Sequence, residues 1–211
     1  MEDPNTNDPP ARPELQKMSF LKAFSFEGSL VIVALILAWI FNVPLLADFH
    51  WSWQASLLGV TSTLPLLAFF AWILQSEYPP FVEVRGFLDQ FVQPLFGSWS
   101  VSRLALLSIM AGVGEEILFR GVLQAGITNT STPLLGAIVA SLAFAICHAL
   151  TKAYFISTFV IGLYLSLVWH VADNLLAPIL THAIYDFVAL LYFLKWYPRQ
   201  ASKSVHEKAG R

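Results

Sequence analysis

Charge is scarce in this chain. Asp, Glu, Lys and Arg make up 12% of its 211 residues, 56% are hydrophobic, and the mean hydropathy is +0.63. A soluble domain carries about twice that share of charge, so the bilayer is the natural solvent for this composition. The formal net charge is -2, with Lys and Arg scattered along the chain. Nucleic-acid binding needs basic residues clustered on one face, and is therefore excluded as a partner class. A lone cysteine, Cys147, excludes an intramolecular disulfide and any zinc cluster built on thiolates, and its place in an apolar run makes it an expected small core residue. No His-Glu-x-x-His signature is present. Met1 to Leu21 lacks the short apolar core and small-residue cleavage site of a secretory signal, so the first span is expected to be retained.

What is abundant is apolar sequence of spanning length. Runs occupy 28–46, 57–74, 104–123, 134–150, 154–171 and 175–194, each near the roughly 20 residues that cross a bilayer core. Between the second and third, Phe81, Val84, Leu88, Phe91 and Leu95 recur at three- and four-residue steps among Glu83, Arg85, Asp89 and Gln90, the pattern of an amphipathic helix lying on the membrane surface. The fold expected is all-α: a polytopic transmembrane helical bundle of about six spanning helices and one interfacial helix. Its organisation is a Pro- and Asn-rich disordered tail over 1–23, a single transmembrane domain over 24–195, and a basic tail over 196–211.

Basic residues assign the sides. Arg12, Lys17, Lys22, Arg85, Arg103, Lys152, Lys195, Arg199, Lys203, Lys208 and Arg211 all fall on one set of loops and tails, whereas 47–54, 124–132 and 172–174 carry none. Under the positive-inside rule both termini are cytoplasmic. Trp51, Trp53, Trp169 and Trp196 fit the interfacial aromatic belt. His50, His170 and His206 fall near interfaces or in the tail and are read as ordinary polar residues.

Three of the runs hold ionisable residues: Glu115, Glu116 and Arg120, then His148, then His182 and Asp186. A charge at the centre of a spanning helix costs about 2.5 to 3.5 kcal/mol on insertion scales, so such residues need partners or a task. Glu116 and Arg120 lie four apart, on one helical face, and can pair. Glu115 is turned about 100° from Glu116, so both carboxylates cannot face Arg120. Glu115 is left as the unpaired, desolvated carboxylate, which suits a general base. Ala111, Gly112, Gly114 and Gly121 would let neighbouring helices come close. His182 and Asp186 share a face, as do Phe144 and His148, so that Phe144 can wall the space beside His148.

Glu-Glu-x-x-x-Arg, Phe-x-x-x-His and His-x-x-x-Asp, in this order on separate apolar helices across about 103–187, resemble the three motifs of the CAAX protease and bacteriocin-processing family of intramembrane glutamate endopeptidases. The resemblance implies that Glu115 with His148 activates a water for peptide hydrolysis. It further implies that His182 with the residue at 186 stabilises the tetrahedral oxyanion, Glu116, Arg120 and Phe144 giving support, with neither cofactor nor metal. The partners implied are a membrane-associated peptide or protein substrate and the lipid bilayer. The eukaryotic CAAX endopeptidases have asparagine where this chain has Asp186; an ionised carboxylate donates no hydrogen bond, and orientation of His182 is the role expected for it. Short loops and bare tails look more like a bacterial member, in the inner membrane.

Two other readings compete. A carboxylate with two imidazoles also matches the ligand set of catalytic zinc, which would make this a zinc-dependent membrane protease. A catalytically silent scaffold, immunity or transport protein could use the same buried polar residues for helix contacts or proton transfer.

Overall fold

The computed structural model describes residues 19–45 and 47–197. Most of the two expected tails, with Arg12, Lys17, Arg199, Lys203, His206, Lys208 and Arg211, lies outside the described residues. Within them the chain forms seven helices and no strand. They are α1 (Phe20–Ile40), α2 (Trp53–Gln75), α3 (Pro79–Phe87), α4 (Val101–Glu116), α5 (Pro133–Cys147), α6 (Lys152–Ala172) and α7 (Leu176–Leu191). Three of them continue without a break. α3 runs on through a π-helical turn, Leu88–Val92, and a last turn, Gln93–Phe96; α4 through π-helical Ile117–Gln124 and helical Ala125–Thr130; α7 through π-helical Tyr192–Trp196.

Local sequence sets these boundaries. Ser52, Ser100, Thr132 and Thr151 each cap a helix start, their hydroxyls accepting from the backbone N–H three residues on. Pro133 occupies the first turn of α5, where its missing donor costs nothing. α1 begins eight residues before the expected 28 and stops at Ile40, six before the expected 46. Asn42 then takes a left-handed conformation with φ 52° and Pro44 follows, so no helix continues there.

Four helices are long and apolar enough to cross a bilayer: Phe20–Ile40, Trp53–Gln75, Lys152–Ala172 and Leu176–Trp196. The protein is an integral membrane, polytopic helical bundle. The other two expected spans differ from these in kind. α5 has 15 residues, about 22 Å at 1.5 Å per residue, short of the roughly 30 Å hydrocarbon core. α4 carries the charged motif and is the bundle's centre, packed by α1, by α7 and, through its π-helical continuation, by α5.

Burial is distributed as a lipid solvent requires. Ile32, Leu64, Ile146 and Leu167 point outward, more than half exposed, while Glu116 and Arg120 are fully enclosed. Cys147, expected in the core, is exposed: it ends α5 on the same outward side as Ile146. Trp51, Trp53 and Trp196 are exposed as a belt requires, but Trp169 packs against the cluster of Ala34, Val43 and Val122 instead. α3 buries Phe81, Val84 and Leu88 as its pattern predicts, yet Phe91 is exposed. The π turn over Leu88–Val92 adds a residue to the helical repeat, so Val92 and Phe96, rather than Phe91, join the core cluster.

Candidate active site

Close helix crossings bring the polar residues together. A Cβ on Gly112 of α4 would stand 2.8 Å from the Ala183 Cβ and 2.9 Å from its backbone nitrogen. Only glycine allows α4 and α7 to meet here, beside His182. On the opposite side, a Cβ on Gly114 would lie 2.7 Å from the Glu27 carbonyl of α1, so Glu115 is clamped between two helices.

Glu116 and Arg120 form the anchor of the site. Arg120 Nη1 donates to Glu116 Oε1 at 2.7 Å, Nη2 donates to the Gly162 carbonyl of α6 at 2.8 Å, and both side chains are completely buried. The guanidinium carbon also lies 5.0 Å from the centre of the Phe144 ring. The same Glu116 Oε1 is 2.7 Å from His182 Nδ1. Glu116 thus serves Arg120 and His182 together, while Asp186 Oδ2 lies 3.5 Å from the other ring nitrogen, Nε2, so that a carboxylate stands at each side of the His182 ring. Spacing along one helix could not show it, because the His182–Glu116 contact joins α7 to α4.

Glu115 is 7% exposed, and its Oε2 has no hydrogen-bond partner among the described residues. That oxygen lies 3.9 Å from His148 Nε2 and 4.0 Å from His182 Nε2. His148 Nδ1 is 2.8 Å from the Phe144 carbonyl, which fixes the ring with Nε2 toward Glu115 once Nδ1 carries the proton. Phe144 stands against His148 with ring centroids 4.6 Å apart and meets Phe119 and His182 edge-on at 5.3 and 5.9 Å. Counted from the ends of the apolar runs at about 1.5 Å per residue, His148 should lie shallower than Glu115 and His182. It reaches them because α5 is short, ending at Cys147, and His148 sits in the turn that leads back to α6.

His148, His182 and Asp186 line one side of a cavity of about 160 Å³, and Val84, Leu88 and Val92 another. α3 with its π-helical continuation thus forms a wall of that cavity. Arg85 fastens it by donating to the Ile73 and Ser76 carbonyls at the end of α2. Three further groups belong to this region. Glu27 of α1 has a buried Oε2 without a partner among the described residues. It escapes a search for charged residues within apolar runs because the run starts one residue later, at Gly28. Tyr154 and Tyr185 line the cavity, and neither hydroxyl makes a hydrogen bond among the described residues; as aromatics in apolar stretches they carry no signal in sequence. Among the described residues no group of three or more His, Cys, Asp and Glu side chains is arranged to hold a metal ion.

Fold and site together define a polytopic helical membrane protein with carboxylates and imidazoles gathered beside one cavity. Residues 97–188 match the family described as type II CAAX prenyl endopeptidase, Rce1-like, consistent with the resemblance of the three motifs to the CAAX protease and bacteriocin-processing family. The matched stretch includes Glu115, Glu116, Arg120, Phe144, His148, His182 and Asp186. No curated protein is matched, and no solved structure is matched.

Proposed function

We propose that this protein is an intramembrane glutamate endopeptidase of the inner membrane of a bacterium, with both termini cytoplasmic, that hydrolyses a peptide bond of a membrane-associated substrate. The observation that carries the reading is the buried, unpartnered Glu115 carboxylate, 3.9 and 4.0 Å from two imidazole Nε2 atoms on different helices. A water about 2.8 Å from both Glu115 Oε2 and His148 Nε2 closes a triangle on the shorter of those distances. Both flanking atoms accept, so the water donates a proton to each side and its lone pair is directed at the cavity. Glu115 takes the proton as the water oxygen attacks the carbonyl carbon, and returns it to the departing amine.

His182 is held by Glu116 at Nδ1, and its Nε2 faces Asp186 and Glu115. An imidazolium there finds an acceptor at each nitrogen and can turn its Nε2–H to the developing oxyanion. Glu116, Arg120 and the Gly162 carbonyl hold this ring across α4, α6 and α7. The single transmembrane domain is the catalytic one, and α3 positions substrate at the cytoplasmic rim. The name of the matched family makes a prenylated, membrane-held peptide one substrate to try.

The test is a comparison of membrane peptidomes from cells making the intact protein and cells making Glu115→Ala. Substrate fragments that accumulate only with the intact protein are the expected result. Identical peptidomes, with the cellular role kept by Glu115→Gln, would leave a scaffold.

A further inference from the structure

The site described above is short of hydrogen-bond donors for an oxyanion. A carbonyl that becomes tetrahedral needs preorganised N–H or O–H groups aimed at its oxygen. Asp186, as a carboxylate, only accepts. The Nε2 of His182 is drawn toward two carboxylates, Asp186 Oδ2 at 3.5 Å and Glu115 Oε2 at 4.0 Å. The His148 Nδ1 is committed to the Phe144 carbonyl. Arg120 is fully enclosed, bonded to Glu116 and Gly162.

Tyr154 supplies a neutral donor beside His148. Tyr154 lies in the first turn of α6, where the Thr151 hydroxyl accepts from its backbone N–H at 3.1 Å. Its ring packs between His148 and Phe87 of α3, with centroid distances of 6.5 and 5.0 Å. Its hydroxyl makes no hydrogen bond among the described residues, and the residue lines the same cavity as His148, His182 and Asp186. The imidazole beside it, His148, has its Nε2 3.9 Å from Glu115 Oε2. Tyr185 is the other phenol in the cavity, and its ring meets Phe70 of α2 edge-on at 6.3 Å, whereas the ring of Tyr154 lies beside His148.

We infer that Tyr154 is a further catalytic residue, whose phenolic O–H donates a hydrogen bond to the substrate carbonyl oxygen as it becomes the oxyanion. The inference rests on the hydrolytic reading above. The water oxygen bonds to the carbonyl carbon, its proton passes to Glu115, and the carbonyl π pair moves onto oxygen. Tyr154 Oη–H binds that oxygen without transferring its proton. When the intermediate collapses, the pair re-forms the C=O bond, the C–N bond breaks, and the amine leaves with the proton held by Glu115.

The test uses full-length protein in detergent and a quenched fluorescent peptide spanning a cleavage site mapped in the peptidome comparison. Tyr154→Phe keeps the ring against Phe87 and His148 and removes only the donor. It should lower kcat about a hundred- to a thousand-fold, the usual loss for one oxyanion donor, with KM and melting temperature little changed. Affinity for a phosphonamidate analogue of that peptide should fall in parallel with kcat/KM. Asp186→Asn, which places an amide donor at the same cavity, should restore part of the lost rate in the Tyr154→Phe background. Tyr185→Phe should leave kcat within a few-fold. A Tyr154→Phe protein with unchanged kcat, while Glu115→Gln is inactive, overturns the role of Tyr154 and leaves the protease intact. A lowered kcat with unchanged analogue affinity and no recovery from Asp186→Asn also overturns it. Full activity in Glu115→Gln would instead remove the hydrolytic reading.

Discussion

Replacing Glu116 by glutamine tests the anchor of the site. Its Oε1 serves two donors at once, Arg120 Nη1 and His182 Nδ1, both at 2.7 Å. Glutamine keeps an oxygen that can accept, but removes the negative charge that compensates a guanidinium with no exposure at all. Breaking a buried ion pair on one side costs about 3 to 5 kcal/mol. The Gly162 carbonyl still accepts from Nη2, and the amide oxygen still accepts weakly, which puts the loss at the lower end, about 3 kcal/mol. For a chain of this size each kcal/mol lowers the melting point by roughly 2 to 4 °C, so a fall of about 6 to 12 °C is expected. Activity should fall too, because the ring of His182 loses its charged partner. Glu115→Gln should do the reverse: Glu115 holds no hydrogen bond at Oε2, so its loss should abolish hydrolysis while the melting temperature stays within a few degrees. Both are read from thermal melts in detergent with peptide cleavage on the same preparations. Equal melting temperatures with equal residual activity in the two variants would refute the division of labour between the glutamates.

Three other outcomes follow from the geometry. Gly112→Val would drive a branched side chain into Ala183 at a separation where even a Cβ meets atoms at 2.8 Å; a loss of about 1 to 3 kcal/mol and a larger loss of activity are expected, and an unaffected melt would show that α4 and α7 can separate freely. Reporter fusions after Gln54, Asn129 and Asp173 should all read as outside the cytoplasm under the positive-inside assignment, and a cytoplasmic signal at any one of them breaks the topology. Activity should survive prolonged dialysis against a strong chelator, with no stoichiometric zinc by elemental analysis. Loss on chelation with recovery on adding zinc would make Glu115, His148 and His182 ligands.

Much of this molecule is legible along the chain because the bilayer enforces simple rules. Backbone polar groups without water must be satisfied within a helix, so apolar runs of spanning length point to an all-helical membrane bundle. Helical spacing likewise brings Glu116 to Arg120 and His182 to Asp186, since residues four apart on one helix are neighbours in any fold. Spacing stops at the edge of each helix. That Glu116 also holds His182, that a 15-residue α5 sets His148 beside Glu115, that a π turn exchanges Phe91 for Val92 on α3, and that Tyr154 shares a cavity with Asp186 depend on which helices pack together and at what depth. Those are contacts between residues far apart in sequence, set by close crossings such as Gly112 on Ala183, and only the tertiary structure decides them.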